Sequence, residues 1–310
     1  MDYFIKSGLS PCGCLRFTII LFLTISLAGC HTFDLIELEP SGPIARDIEE
    51  LFWTTVALMS LVLIPVFAMS VWFIYNYRAS NEKATYMPDW DRSTRLEWLV
   101  WLVPCLIITV LAGMTWVFSH RLSPYRVLQA DVPPLTIQVV ALDWKWLFIY
   151  PEQNIATVNE VSFPVGRPID FNITSDTVMN SFFIPRLGGQ IYAMAGMNTQ
   201  LHLIADAPGR YLGENTQFSG RGFPYQNFVA IAVDDRDFNA WVQHVKQSSS
   251  KLDLPAFDQL ASASINYPVS YYGSVASELF ETILAKYSKA GAANTRILPG
   301  KASGASEHVR

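Results

Sequence analysis

The chain has 310 residues, 51% of them apolar and only 16% charged, with 9 Trp, 13 Tyr and 19 Phe. A typical soluble domain carries about 25% charged residues, so this mixture excludes a disordered chain and a wholly soluble one. A net charge of −5 excludes a broad basic face for nucleic acid.

The first apolar run, Phe17 to Ala28, is too short to cross a bilayer core, which takes about 20 helical residues. It follows Lys6 and Arg16 and ends in Leu27-Ala28-Gly29-Cys30, the basic flank, short core and small residues of a secretory signal peptide. That predicts a signal peptide over 1–29. The ending also resembles a bacterial lipobox, which makes Cys30 the lipidated first residue of the mature chain; an uncleaved anchor helix is the alternative. A periplasmic segment over 30–50 follows.

Leu51 to Tyr77 carries no formal charge and predicts a first transmembrane helix over 51–77, with Pro65 near its middle. Trp53 at one end and Trp72, Tyr75 and Tyr77 at the other suit the two membrane interfaces. Trp98 to Ser119, bounded by Glu97 and His120-Arg121, predicts a second helix over 98–119. The connecting loop, 78–97, holds Arg78, Lys83, Arg92 and Arg95, whereas the segment before the first helix holds only Arg46. Positive charge concentrates on the cytoplasmic side, so the loop is read as cytoplasmic and both outer flanks as periplasmic.

From Pro133-Pro134 onward, short β-branched and aromatic runs alternate with turn residues, which predicts an all-β sandwich over 134–235. Strands are expected at Leu135–Leu142, Trp146–Tyr150, Thr157–Phe163, Pro168–Thr174, Gln200–Ile204 and Asn227–Val233. After Asp234-Asp235 the period becomes helical, with Phe238, Trp241, Val242 and Val245 on one face. A second helix is expected over Ser274–Tyr287, and the region 236–290 is expected to pack against the β domain. The Ala/Gly/Ser-rich stretch 291–310 is read as a disordered tail. The cysteines are Cys12, Cys14, Cys30 and Cys105, so the chain beyond Cys105 has no thiol for a disulfide, a cysteine zinc site or a thiolate copper site.

Asp143-Trp144-Lys145-Trp146-Leu147-Phe148-Ile149-Tyr150-Pro151-Glu152-Gln153 and Val178-Met179-Asn180-Ser181-Phe182-Phe183-Ile184-Pro185-Arg186-Leu187-Gly188 carry a close resemblance. Gln190-Ile191-Tyr192-Ala193-Met194-Ala195-Gly196-Met197 continues it. The sequence resembles the subunit II family of haem-copper respiratory oxidases, in its bo-type ubiquinol oxidase branch, over roughly residues 35–290. The resemblance implies a membrane α plus all-β fold: a lipoprotein signal peptide, a two-helix transmembrane hairpin and a periplasmic cupredoxin-like β-sandwich with C-terminal helices. It further implies a bacterial inner-membrane complex that couples ubiquinol oxidation and oxygen reduction to proton translocation. This chain would bind no cofactor itself, with haems and copper in a partner subunit I and further oxidase subunits around it.

The copper-bearing branch of the family holds a dinuclear copper centre on two cysteines, two histidines, a methionine and a glutamate carbonyl. At the matching positions this sequence has Asn180 in Asn-Ser-Phe, then Asn215, Gln217 and Ser219 in Gly213-Glu214-Asn215-Thr216-Gln217-Phe218-Ser219-Gly220, then Phe223 and Gln226. Thiolates bridge such copper pairs, and amide or hydroxyl oxygen does not replace them. The resemblance therefore favours quinol, not a soluble cytochrome, as donor to the complex. A copper-bearing subunit and a free-standing membrane lipoprotein are the alternatives. Glu97, at the cytoplasmic entry to the second helix, resembles the subunit II glutamate at the mouth of a proton channel; the plainer reading is a helix N-terminal glutamate paired with Arg95. His31, His120, His202, His244 and His308 lack ligand spacing and read as surface or interface histidines. Trp144 and Trp146, two apart on an expected strand, are read as sharing a face, and Met179, Met194 and Met197 as gap-filling side chains.

Overall fold

The structure, a computed structural model, describes residues 39–287 apart from 84, 86–89, 129 and 131. The signal peptide expected over 1–29, Cys30, His31, His308 and the tail 291–310 lie outside the described residues.

Two long apolar helices come first. Helix α1 (Pro43–Asn76) opens with a proline in its first turn, where the missing N–H would have no intrahelical partner anyway. Helix α2 (Thr94–Arg121) carries Glu97 in its first turn and His120 and Arg121 in its last, the charge order that a helix dipole favours. At ~1.5 Å per residue they are about 50 and 40 Å long, against a hydrocarbon core of about 30 Å. Large apolar side chains project on all sides, among them Leu61, Ile64, Phe67, Val71, Trp101 and Ile108. A helix that is apolar all round belongs in apolar surroundings, and both helices are long and apolar enough to cross a membrane. Arg121 donates to Asp47 at 2.6 Å, which brings the end of α2 beside the start of α1 and makes the pair an antiparallel hairpin.

The β domain has two main layers. The first sheet contains β1 (Leu135–Leu142), β2 (Lys145–Tyr150), β3 (Ile155–Val158), β5 (Ile169–Ser175), β8 (Thr199–Leu203) and β12 (Ser270–Tyr272), in the order β12-β3-β2-β1-β5-β8. The second contains β4 (Glu160–Pro164), β6 (Asn180–Phe183), β7 (Ile191–Ala193), β9 (Gly209–Asn215) and β10 (Asn227–Val233), in the order β4-β10-β9-β6-β7. Within these two sheets the strands pair antiparallel except for β1 with β5 and β4 with β10. A short third ladder, also parallel, joins β11 (Lys251–Leu252) to β13 (Ser274–Val275).

The run Thr157–Phe163, expected as one strand, is two. Asn159 adopts φ 58°, a left-handed conformation that asparagine tolerates, and there the chain leaves the first sheet for the second. The expected helix Ser274–Tyr287 is corrected too. Its first residues pair as β13, Glu278 turns at φ 61°, and the helix (α5) runs over 279–287. Helix α3 (Asp235–Lys246) and an unforeseen α4 (Leu254–Ala261) are each capped by an aspartate: Asp234 accepts from the amide of Asp237 and Asp253 from that of Ala256.

The first sheet is buried on both faces. Ile137, Val139, Trp146, Phe148 and Tyr150 point between the layers, and Val140, Leu142, Leu147 and Ile149 point outward. The outward set is covered by Leu252, Phe257, Leu260, Leu279, Phe280 and Ile283, so the C-terminal region forms a second core. Inside, Phe182 and Phe228 stack at 5.0 Å and 11°, with Trp146 edge-on to both at 5.3 and 5.7 Å. Such ring pairs each add ~0.5–1.5 kcal/mol beyond burial. The Tyr150 hydroxyl donates to the Ser162 carbonyl at 2.9 Å and accepts from its amide at 2.8 Å, pinning one layer to the other.

The sandwich also grips α1. The Ser41 amide donates to the Arg186 carbonyl and the Asp206 amide to the Ser41 carbonyl, both at 2.8 Å, and Arg46 pairs with Asp206. A Cβ on Gly42 would lie 2.5 Å from the Ile204 carbonyl oxygen, so only glycine fits this approach.

Candidate functional site

Strand pairing gathers the substituted positions at one end of the sandwich. Phe182 of β6 pairs with Asn215 of β9, which brings Asn180 at the start of β6 beside Asn215 at the end of β9. The loop from β9 to β10 then carries Ser219 and Gln226 back over the same spot.

Asn215 is the hub. Its Nδ2 donates to Asn180 Oδ1 at 2.8 Å and to Gln226 Oε1 at 2.9 Å, with Ser219 Oγ at 3.2 Å. Its Oδ1 accepts the amides of Ser181 at 2.9 Å and Gln217 at 3.0 Å. Both donors and both lone pairs are thus used. Ser219 Oγ donates to Gln226 Oε1 at 2.9 Å, Gln226 Nε2 to the Leu142 carbonyl at 3.3 Å, and Asn180 Nδ2 to the Val178 carbonyl at 2.8 Å. Asn180 and Gln226 are wholly buried and Asn215 nearly so. Four of the six singled-out side chains therefore form one bonded network. Gln217 contributes only its backbone amide, and Phe223 turns away to pack on Phe218 at 5.7 Å.

Two more residues complete the site: Ser175, which sequence reasoning missed, and Trp144, which it placed on a strand. Ser175 donates to the Val178 carbonyl at 2.8 Å, shaping the approach to Asn180. Trp144 is not on a strand and does not share a face with Trp146. It occupies the β1–β2 turn at φ 63°, and its indole donates to the Ser219 carbonyl at 3.0 Å. The ring lies so close to Gly222 that a Cβ there would sit 2.2 Å from it. Trp146 points into the core instead, with its indole N–H on the Gln226 carbonyl at 3.3 Å. A positive-φ tryptophan in a two-residue turn leaves no periodic signal.

The network consists of neutral amides and a hydroxyl whose hydrogen-bonding capacity is spent on each other. It offers neither thiolate nor imidazole, and so does not fit a thiolate-bridged copper pair. Among the described residues no three His, Cys, Asp or Glu side chains gather. Met179 and Met197, read as gap-fillers, are exposed beside this end of the domain.

Elsewhere, Glu97 is exposed in the first turn of α2, and its partner is Arg92 at 3.5 Å, not Arg95. His202, read as a surface or interface histidine, is buried within the first sheet, with Nδ1 2.6 Å from Asp170 Oδ1. Lys145 is wholly buried; desolvation lowers its pKa against the opposing pull of Asp143. Its ammonium donates to the Ser262 carbonyl at 2.7 Å and to the Ser264 hydroxyl.

Residues 108–234 match the family described as cytochrome c oxidase subunit II, periplasmic domain, and residues 246–291 match the COX aromatic-rich motif. The cytochrome bo(3) ubiquinol oxidase subunit 2 of Pseudomonas aeruginosa is 50% identical over 265 residues, 86% of this chain and 79% of that protein. The ubiquinol oxidase subunit 2 of Acetobacter aceti is 52% identical over 263 residues, 84% of each. Among solved structures, the periplasmic domain of subunit II of the Bradyrhizobium japonicum cytochrome oxidase is 24% identical, with a TM-score of 0.36 over 38% of this chain and 96% of that one.

Proposed function

The chain belongs to the ubiquinol oxidase subunit 2 family, and from that premise we propose that it works as the non-redox scaffold of its oxidase, carrying no metal of its own. Haems and copper reside in a partner subunit I, which takes electrons from ubiquinol within the membrane and supplies the oxygen chemistry. The observation that carries this reading is the network of Asn180, Asn215, Ser219 and Gln226, at positions that the family resemblance matches to copper ligands of the copper-bearing branch. A cupredoxin-like fold whose site is closed by amide hydrogen bonds has no group that changes oxidation state.

In the same reading α1 and α2 form an inner-membrane hairpin with the loop 78–97 in the cytoplasm and the sandwich in the periplasm. The Arg121–Asp47 pair, between the two helix ends nearest the sandwich, suits that topology. Cys30, released by cleavage of residues 1–29, carries the lipid anchor. Glu97, at the opposite end of the hairpin, stands where a carboxylate can gather protons for a relay in subunit I.

The test is purification of the tagged chain in mild detergent, with optical spectra, metal analysis and oxygen uptake on ubiquinol. Haem spectra with quinol-dependent oxygen uptake and no copper on this chain are the expected result. Two copper ions with near-infrared absorbance in this subunit would overturn it, and a lone haem-free chain would favour a free-standing lipoprotein.

A further inference from the structure

The aromatic-rich C-terminal stretch makes no bond within the amide network, yet it holds both loops that frame it. One route starts at the end of α4. Lys145 donates to Ser262 and Ser264, and its ammonium lies 4.9 Å from the centre of the Tyr267 ring. Lys145 directly follows Trp144, which bonds the Ser219 carbonyl and covers Gly222. The β9–β10 loop is thereby tied to the C-terminal region through a single turn.

The other route starts at the end of α5. Lys286 donates to both carboxylate oxygens of Asp176, at 2.8 and 3.0 Å, and the Tyr287 hydroxyl donates to the Asp176 carbonyl at 2.6 Å. Asp176 opens the loop that leads through Val178 to Asn180. The Thr177 hydroxyl donates to Asp143, the first residue of the Trp144 turn, so the two routes close into a ring.

Each neutral hydrogen bond of the network contributes only about 0.5–1.5 kcal/mol net, so ties from outside it add appreciably to the hold on the two loops. A charge-assisted bond to a nearly buried carboxylate, and a buried ammonium bonded to a carbonyl, are each roughly twice as strong as a neutral one. We propose that the segment 246–287 is a staple that fixes the loops 176–180 and 216–226 on either side of the amide network, with Lys145, Asp176, Lys286 and Tyr287 as its positioning residues. It rests on contacts within this chain and does not depend on the oxidase assignment.

Hydrogen exchange by mass spectrometry on the full-length chain in detergent tests it. Two variants are compared with the parent: Lys145→Met, and Lys286→Ala combined with Tyr287→Phe. The staple predicts at least tenfold faster exchange over 216–226 in the first and over 176–183 in the second, with β4 and β8 unchanged. Exchange within twofold of the parent in both loops overturns it. Equal acceleration across β4, β8 and the loops also overturns it, because that is general destabilisation. Should Lys145→Met fail to fold, the Lys286/Tyr287 variant, altered at a half-exposed contact, decides alone.

Discussion

Replacing Asn215 by alanine removes the hub of the amide network, and the structure sets the size of the loss. Five groups lose a partner: Asn180 Oδ1, Gln226 Oε1, Ser219 Oγ and the amides of Ser181 and Gln217, of which Ser219 keeps its bond to Gln226. Gln226 keeps the Ser219 hydroxyl, and the amide of half-exposed Gln217 can turn to water. Asn180 and Ser181 are buried and have no such recourse. A buried polar group left without a partner costs about 1–3 kcal/mol, so the expected loss is about 2–6 kcal/mol. For a domain of this size that is a fall in Tm on the order of 10 °C. The assay is thermal unfolding of the purified chain in detergent, followed by tryptophan emission, since Trp144 and Trp146 both bond this site. A loss below about 1 kcal/mol would mean that water enters freely and the network contributes nothing, which would refute the reasoning.

Other outcomes follow from features elsewhere in the molecule. Glu97→Ala is expected to slow quinol-driven turnover and proton uptake by the assembled oxidase while assembly proceeds; unchanged rates would remove the proton-entry role. Gly42→Ala places a methyl 2.5 Å from the Ile204 carbonyl oxygen. It should destabilise the chain by about 1–3 kcal/mol through forced displacement, read as a lower Tm and faster proteolysis near residue 42. Burial holds the Tyr150 phenol above its ordinary value of 10.0, with Glu160 reinforcing the shift against the Ser162 hydrogen bond. The folded state then keeps a proton that the unfolded chain releases near pH 10, so this stability is full below pH 10 and is lost as pH rises above it. Tyr150→Phe should flatten the alkaline fall in stability by up to about 1.4 kcal/mol per pH unit, measured by unfolding between pH 9 and 11.

What the sequence revealed depended on how local the signal was. The two long helices are legible because an uncharged apolar run longer than a bilayer core leaves few alternatives. The central strands are legible because β2 is apolar on both faces. Thr157–Phe163 misleads because Val158, Val161 and Phe163 keep it rich in β-branched and aromatic residues on both sides of Asn159-Glu160, and tertiary structure shows that the residues on the two sides pair in different sheets. Trp144 misleads because the period-two rule assumes a strand where the chain turns. The network positions were marked by resemblance, but their mutual bonding depends on the β6–β9 register, which no local pattern encodes. The C-terminal contacts of Lys145 and Asp176 span more than 100 residues, and helix α4 is too short to declare its period.

The grip of residues 41–46 on the sandwich has a mechanical consequence. A globular head joined to a membrane anchor by a single flexible strand would tumble and present every side in turn. Here the first turn of α1 is bolted to the head at Arg186, Ile204 and Asp206, and the end of α2 is tied to that same end of α1 through Arg121 and Asp47. Such a mounting restricts swivel, so part of the orientational entropy that docking onto a neighbouring subunit would cost is already surrendered in folding.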